Sequence, residues 1–237
     1  MAVGVPVHVD KVDSRRTRSA ATQAALMRAA EKCIAERGIE DVSIRDIVAA
    51  AGQKNESALQ YHFNNLTGLI AAIHDERAKQ VQARRSEMLG TLLPRTPEPT
   101  LRQLCALMVE PTFQIARSDV GFRRYVKAFG HELALAETSA LSRVARHGGG
   151  GGPSGHQLAL LLKGALPHLD PGAYRRRMET AVRLCAASMY HQARQRSAFR
   201  GRPAELFLHS LIDALVGLLS APVSAETAAL AAELDRN

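Results

Sequence analysis

The chain has 237 residues, 46% hydrophobic but only 4% aromatic, with no tryptophan and a formal net charge of +8. That length can bury a substantial core, and the dominance of Ala, Leu and Arg over β-branched or aromatic runs predicts an all-α protein. No uncharged apolar run approaches the ~18 residues of a membrane span, and no basic-then-apolar leader opens the chain, so a cytoplasmic protein without a membrane partner is expected.

The charge itself is weak evidence for nucleic acid, because residues 1–64 carry nine basic and eight acidic side chains and most of the excess lies further on. Placement matters more. Lys11, Arg15, Arg16 and Arg18 fall ahead of the first strong apolar period, and residues 1–20 are expected to form a flexible basic arm able to follow a phosphate backbone.

From about Thr22 to Arg37, Leu26, Ala30, Cys33 and Ile34 recur at steps of three and four, which predicts a first helix stopped by Gly38. Ser43 can cap a second, short helix whose inward face is Ile44, Ile47, Val48 and Ala51. Gly52 follows, a residue that takes φ > 0 at little cost, and a turn through Gln53, Lys54 and Asn55 leads to a third helix from about Glu56 to Phe63. On that helix Leu59 and Phe63 share one face, while Ser57, Gln60 and Tyr61 share another, flanked by Ala58 and His62. Two short helices joined by a glycine-containing turn and braced by a third form a helix-turn-helix, whose second element enters the major groove of double-stranded DNA. The free face suits that task. Glutamine pairs with adenine, small side chains meet a thymine methyl, and hydroxyl, imidazole and ammonium groups donate to phosphates, which makes Gln60 and Lys54 the most informative residues. Tyr61 can instead pack, His62 can be a surface histidine without a partner, and Glu56, unwelcome near phosphates, is best read as a cap on the third helix.

Three segments carry a resemblance: Ala35-Glu36-Arg37-Gly38, Ser43 through Gly52, and Ser57-Ala58-Leu59-Gln60-Tyr61-His62-Phe63. Together they resemble the TetR family of bacterial regulators over roughly residues 22–75. The resemblance implies that Ser43, Arg45, Tyr61 and His62 approach the DNA backbone, and that Ser57, Ala58 and Gln60 lie near bases. The turn after Gly52 is one residue longer than the commonest family spacing, which leaves the register of Lys54, Asn55 and Glu56 open. Gln60 stands where an aromatic is frequent, and Leu66 where many members carry a phosphate-binding lysine.

Asn65 is a plausible cap for a long helix from Leu66 to near Leu93. Further helices are expected from Thr100 to Arg117, with Pro111 kinking or splitting the first of them, and over residues 120–146. The segment His147–His156, with five consecutive glycines, is read as a flexible loop. Asp170-Pro171 opens a helix expected to reach Phe199, residues 204–219 form one that is apolar on most sides, and a short helix follows Ser224. The domain reading is therefore a basic arm (1–20), a helix-turn-helix domain (21–65) and a helical ligand-binding and dimerisation domain (66–237).

An all-round apolar helix needs cover, and a homodimer formed through residues 173–219 supplies it. A small apolar or amphipathic ligand is expected among Met108, Phe113, Phe122, Val126 and Phe129, where the few aromatics concentrate, with Arg123, Arg124 and Lys127 nearby to favour an acidic group. The resulting expectation is a homodimeric repressor on a palindromic operator whose ligand releases it. An architectural DNA binder without a ligand is the alternative. Cys33, Cys105 and Cys185 form no Cys-x-x-Cys pair, and no histidines or carboxylates stand at diagnostic spacing, so neither catalysis, a metal nor a cofactor is expected.

Overall fold

The computed structural model describes residues 10–146 and 152–236, with side chains omitted for 10–15 and 144–146. Among the described residues there are eleven helices and no strand. The chain divides into two compact units, Met1–His74 and Asp75–Asn237.

In the first unit, α1 (Asp10–Arg37) begins well before Thr22, so residues 10–20, expected as part of an arm, are helical. Arg16 and Arg18 are exposed on it. The α1 stripe of Leu26, Ala29, Ala30, Cys33 and Ile34 is buried with Val42, Ile47, Val48, Leu59, Leu69 and Ile73. Gly38 at φ +93° ends α1, donating its N–H to the Ile34 carbonyl at 2.8 Å. Then come α2 (Ile44–Ala50), α3 (Ser57–Phe63) and α4 (Leu66–Leu92), the last extending into the second unit. Asn65 caps α4 as expected, its Oδ1 accepting the Gly68 N–H at 2.8 Å. Gly68 is obligatory for a different reason: a Cβ there would collide with the Phe63 carbonyl.

The second unit is a helical bundle of α5 (Leu101–Ser118), α6 (Val120–Leu135), α7 (Ala140–Arg146), α8 (Gly152–Ala165), α9 (Pro171–Arg194), α10 (Gly201–Ser220) and α11 (Ala225–Leu234). Thr100 and Gln103 form a reciprocal capping box on α5. Asp170 and Ser224 cap α9 and α11 at the positions the sequence indicates. Helix α9 packs against α6, α7 and α10, while α5 packs against α6, α8 and α10.

Three expectations about these helices change. The helix expected over residues 120–146 is two, because α9 caps the break between α6 and α7. Glu179 accepts the N–H groups of Ala140 (2.6 Å) and Leu141 (3.2 Å), and Arg183 donates to the carbonyls of Ala134, Ala136 and Thr138. The expected loop His147–His156 lies outside the described residues up to 151, but Gly152–His156 is the first turn and a half of α8, where Pro153 is tolerated and the Ser154 hydroxyl donates to the Gln82 carbonyl at 3.1 Å. Helix α9 stops at Arg194 instead of Phe199. The Gln192 amide donates to the Ala198 carbonyl, Ala198 takes φ +40°, and Phe199, fully buried, meets Phe113 edge to face. Of the two outcomes expected at Pro111, a split is absent, since α5 runs through it from Leu101 to Ser118.

By length and composition α10 is apolar enough to cross a membrane, against the expectation that no segment would be. Its setting is that of a bundle helix: Glu205 and Asp213 pair with Arg117 and Arg102 of α5, and Leu208, Leu211, Ile212, Leu215 and Leu219 are buried.

Candidate nucleic-acid interface

Helix α2 is fixed at both ends by local hydrogen bonds. Ser43 Oγ accepts the Asp46 N–H at 3.2 Å, and Asp46 Oδ2 accepts from the Ser43 N–H (3.0 Å) and hydroxyl (2.7 Å). These bonds from Ser43, with Arg37 at 3.5 Å assisting, hold the Asp46 carboxyl below its ordinary pKa. At the other end of α2, Gly52 takes φ +69°, its N–H meets the Ala49 carbonyl, and the Gln53 N–H meets the Val48 carbonyl, both at 3.0 Å. This pair of hydrogen bonds is the Schellman arrangement, which terminates a helix and turns the chain sharply.

The longer turn is closed by Asn55, not by Glu56. Asn55 Oδ1 accepts the Ser57 N–H at 2.9 Å, and the Glu56 side chain makes no capping bond. The cap expected from Glu56 is thus supplied one residue earlier. A carboxamide reaches the first free N–H of α3 from a position where the backbone is still turning, whereas Glu56 already has helical φ and ψ.

With Leu59 buried beneath it, α3 turns its other side outward. Lys54, Asn55, Ser57, Gln60 and Tyr61 are exposed, and Ala58 and His62 are partly so. Tyr61 is 81% exposed, which settles its two readings against packing; its ring meets His62 edge to face at 4.9 Å. Phe63, expected in the core, is only partly buried. On α2, Arg45 is exposed, while the Ser43 hydroxyl is committed to the cap in both directions. One unit thus presents amide, hydroxyl, phenol, imidazole, ammonium and guanidinium groups on α2, α3 and the turn between them, a set that can donate to phosphates and meet base edges.

The residues expected to hold a ligand are in the second unit. Phe113, Phe122, Val126 and Phe129 are buried and Met108 partly so. Their ring contacts divide them: Phe122 and Phe129 both lie against Tyr125, at 5.7 and 5.6 Å, while Phe113 pairs with Phe199. A surface groove of about 380 Å³ runs instead past Arg84, Glu87, Met88, Thr91, Leu92, Arg95 and Thr96, and touches none of the five. Arg123, expected to favour an acidic group, spends its guanidinium on the Ala116 and Arg117 carbonyls. Burial pushes the Cys105 thiol up to about 11 and Cys185 to about 12, so both are protonated at neutral pH. Among the described residues no three His, Cys, Asp or Glu side chains gather to hold a metal.

Residues 26–73 match the family model of the bacterial regulatory proteins, tetR family. No curated protein matches the chain. A solved structure from Rhodococcus sp., assigned to the TetR-family transcriptional regulators, aligns with a TM-score of 0.57 at 18% identity, covering 84% of this chain and 99% of that one. Salmonella enterica GusR aligns at 22% identity and TM-score 0.47, over 84% of this chain and 96% of its own. An alanine-substituted HlyIIR mutant aligns at 14% and 0.49 over the same shares. Residues 26–73 are thus similar in sequence to the tetR family of bacterial regulatory proteins, and the Rhodococcus alignment extends the all-helical likeness well beyond that segment.

Proposed function

We propose that the chain is a transcriptional regulator that binds a palindromic operator as a homodimer and releases it when a small apolar or amphipathic ligand enters the helical unit. The observation that carries the DNA-binding part is the outward face of α3, where Ser57, Gln60 and Tyr61 stand clear of the core on a helix fixed by the Gly52 turn and the Asn55 cap. In this reading Gln60, Ser57 and Ala58 meet base edges, while Arg45, Lys54, Asn55, Tyr61 and His62 meet the backbone, with Ser43 holding α2 in place. Two copies of α3 about 34–36 Å apart, or a multiple, would engage successive major grooves.

The ligand part rests on α5 and α6, with Met108, Phe113, Phe122, Val126 and Phe129 as candidate lining. A ligand acts only if it binds one arrangement of the helices better than the other. Linkage then requires operator and ligand to weaken each other by the same factor. The test is selection of an operator from random duplexes, followed by a salt titration. Arg45→Ala is expected to weaken operator and random DNA alike and to flatten the slope of log affinity against log salt. An unchanged slope removes Arg45 from the phosphate contacts, and failure to select any sequence contradicts the operator reading.

A further inference from the structure

Arg85 is 6% exposed, in the middle of α4, and its surroundings satisfy only part of it. Its Nε donates to the Leu107 carbonyl at 3.2 Å. That carbonyl is open because the residue four further on is Pro111, which has no N–H to return. Nη1 is buried without any hydrogen-bond partner, and among the described residues no carboxylate lies within ion-pair distance of the guanidinium. Eight residues earlier on the same helix, Arg77 shows what a completed site looks like: its guanidinium has Asp119 at 3.4 Å, Gln80 at 3.0 Å and the Phe122 ring at 5.6 Å. A buried cation that lacks a counter-charge is costly, and burial correspondingly lowers the Arg85 pKa. A neutral or apolar side chain would fill the space at less cost, so the guanidinium is best explained by an anion that completes it.

We propose that Arg85 receives the acid group of an amphipathic anionic ligand, a carboxylate or phosphate monoester whose apolar body lies between α4 and α5. The neighbours suit such a body: Val81, Met88 and Leu89 on α4 and Leu104, Leu107 and Met108 on α5 belong to one apolar cluster. The acid group donates nothing and accepts from Nη1, while Nε stays on Leu107 and holds the guanidinium plane. This site shares only Met108 with the lining considered above, and it rests on the proposed function only for the consequence, not for the binding.

The test uses the full chain without DNA and four probes: octanoate, octyl phosphate, octanol and inorganic sulfate, each followed by calorimetric titration and thermal melting. At least one of the two acids is expected to bind about tenfold or more tighter than octanol and than sulfate, and the preference is expected to vanish in Arg85→Met. Should Arg85→Met not fold, Arg85→Gln, which can still donate to Leu107, carries the same expectation. Octanol binding as tightly as both acids, sulfate binding as tightly as both, or an acid preference that survives loss of the guanidinium each overturns the site. Release of selected operator DNA by the same acids is read separately. An acid that binds through Arg85 yet leaves DNA bound contradicts ligand-controlled release and leaves the site standing.

Discussion

At the scale of single residues, the polar side chains of the first unit divide into those that cap its helices and those left exposed to meet a partner. Ser43 belongs to the caps, since its hydroxyl both accepts from and donates to Asp46. Ser43→Ala is expected to destabilise the first unit by about 1 kcal/mol, the ordinary cost of losing an N-cap, with a lower midpoint in urea and an unchanged denaturant slope. A midpoint equal to wild type would show the cap to be idle. Asn55 and Glu56 show why sequence reasoning fails at this spot: both are residues found at helix starts, and the choice turns on which one still has non-helical backbone, which spacing alone does not reveal. Tyr61 is legible in the sequence only as one of two alternatives, because an aromatic beside Leu59 and Phe63 fits a core as readily as a surface. Arg85 does carry a signal in the sequence itself. Val81, Arg85 and Leu89 recur every four residues, and that spacing alone places the arginine on the inward stripe of α4.

At the scale of elements, the helices with strong local punctuation are those the sequence locates best. Asp170-Pro171, Ser224, Asn65 and Gly38 all act where they are expected, because caps are set within four residues of chain. The break between α6 and α7 has one local signal, Ser139, whose Oγ accepts the Ser142 N–H at 3.2 Å, but the apolar periodicity of 120–146 runs on across it. The remaining contacts come from Glu179 and Arg183 of α9, some forty residues distant. Partial burial would raise the Glu179 pKa, but the Ala140 and Leu141 N–H groups, the Ser139 hydroxyl and Arg183 more than offset that and leave it lowered. A carboxyl whose pKa is lower in the folded state adds stability above its unfolded value, ordinarily near 4.3, and loses it as the pH falls through the folded one. Glu179→Gln is therefore expected to lower the melting temperature at pH 7 and to converge on wild type below pH 4. Parallel melting curves for the two proteins across that range would show the carboxylate to be unconnected with the fold.

At the scale of the whole molecule, the case for a second subunit changes its footing. Helix α10 has more apolar surface than one face needs, yet Leu208, Leu211, Ile212, Leu215 and Leu219 are all covered within one protomer. Among the residues that remain exposed on it are Leu206, 70% exposed, and the small residues Ser210, Ala214 and Gly217, with free space beside Gly217. Small residues along an exposed helix face allow close approach of another helix, and the dimer proposed here is expected to use them. Leu206→Glu and Gly217→Arg are both expected to yield monomers with wild-type helicity in sedimentation and circular dichroism. A monomeric wild type, or a tight dimer in both variants, contradicts this interface.

The proposed function depends above all on the exposed face of α3 reading bases, and Gln60 tests this most directly because it stands exposed on that face. Affinity of wild type and Gln60→Ala is measured on the selected operator, on operators changed at each base in turn, and on random duplex at one salt concentration. A loss of about 1 to 3 kcal/mol on the operator, relaxed preference at one base position and nearly unchanged binding to random DNA are expected. Equal loss on operator and random DNA, or no loss on either, would contradict base reading by that face.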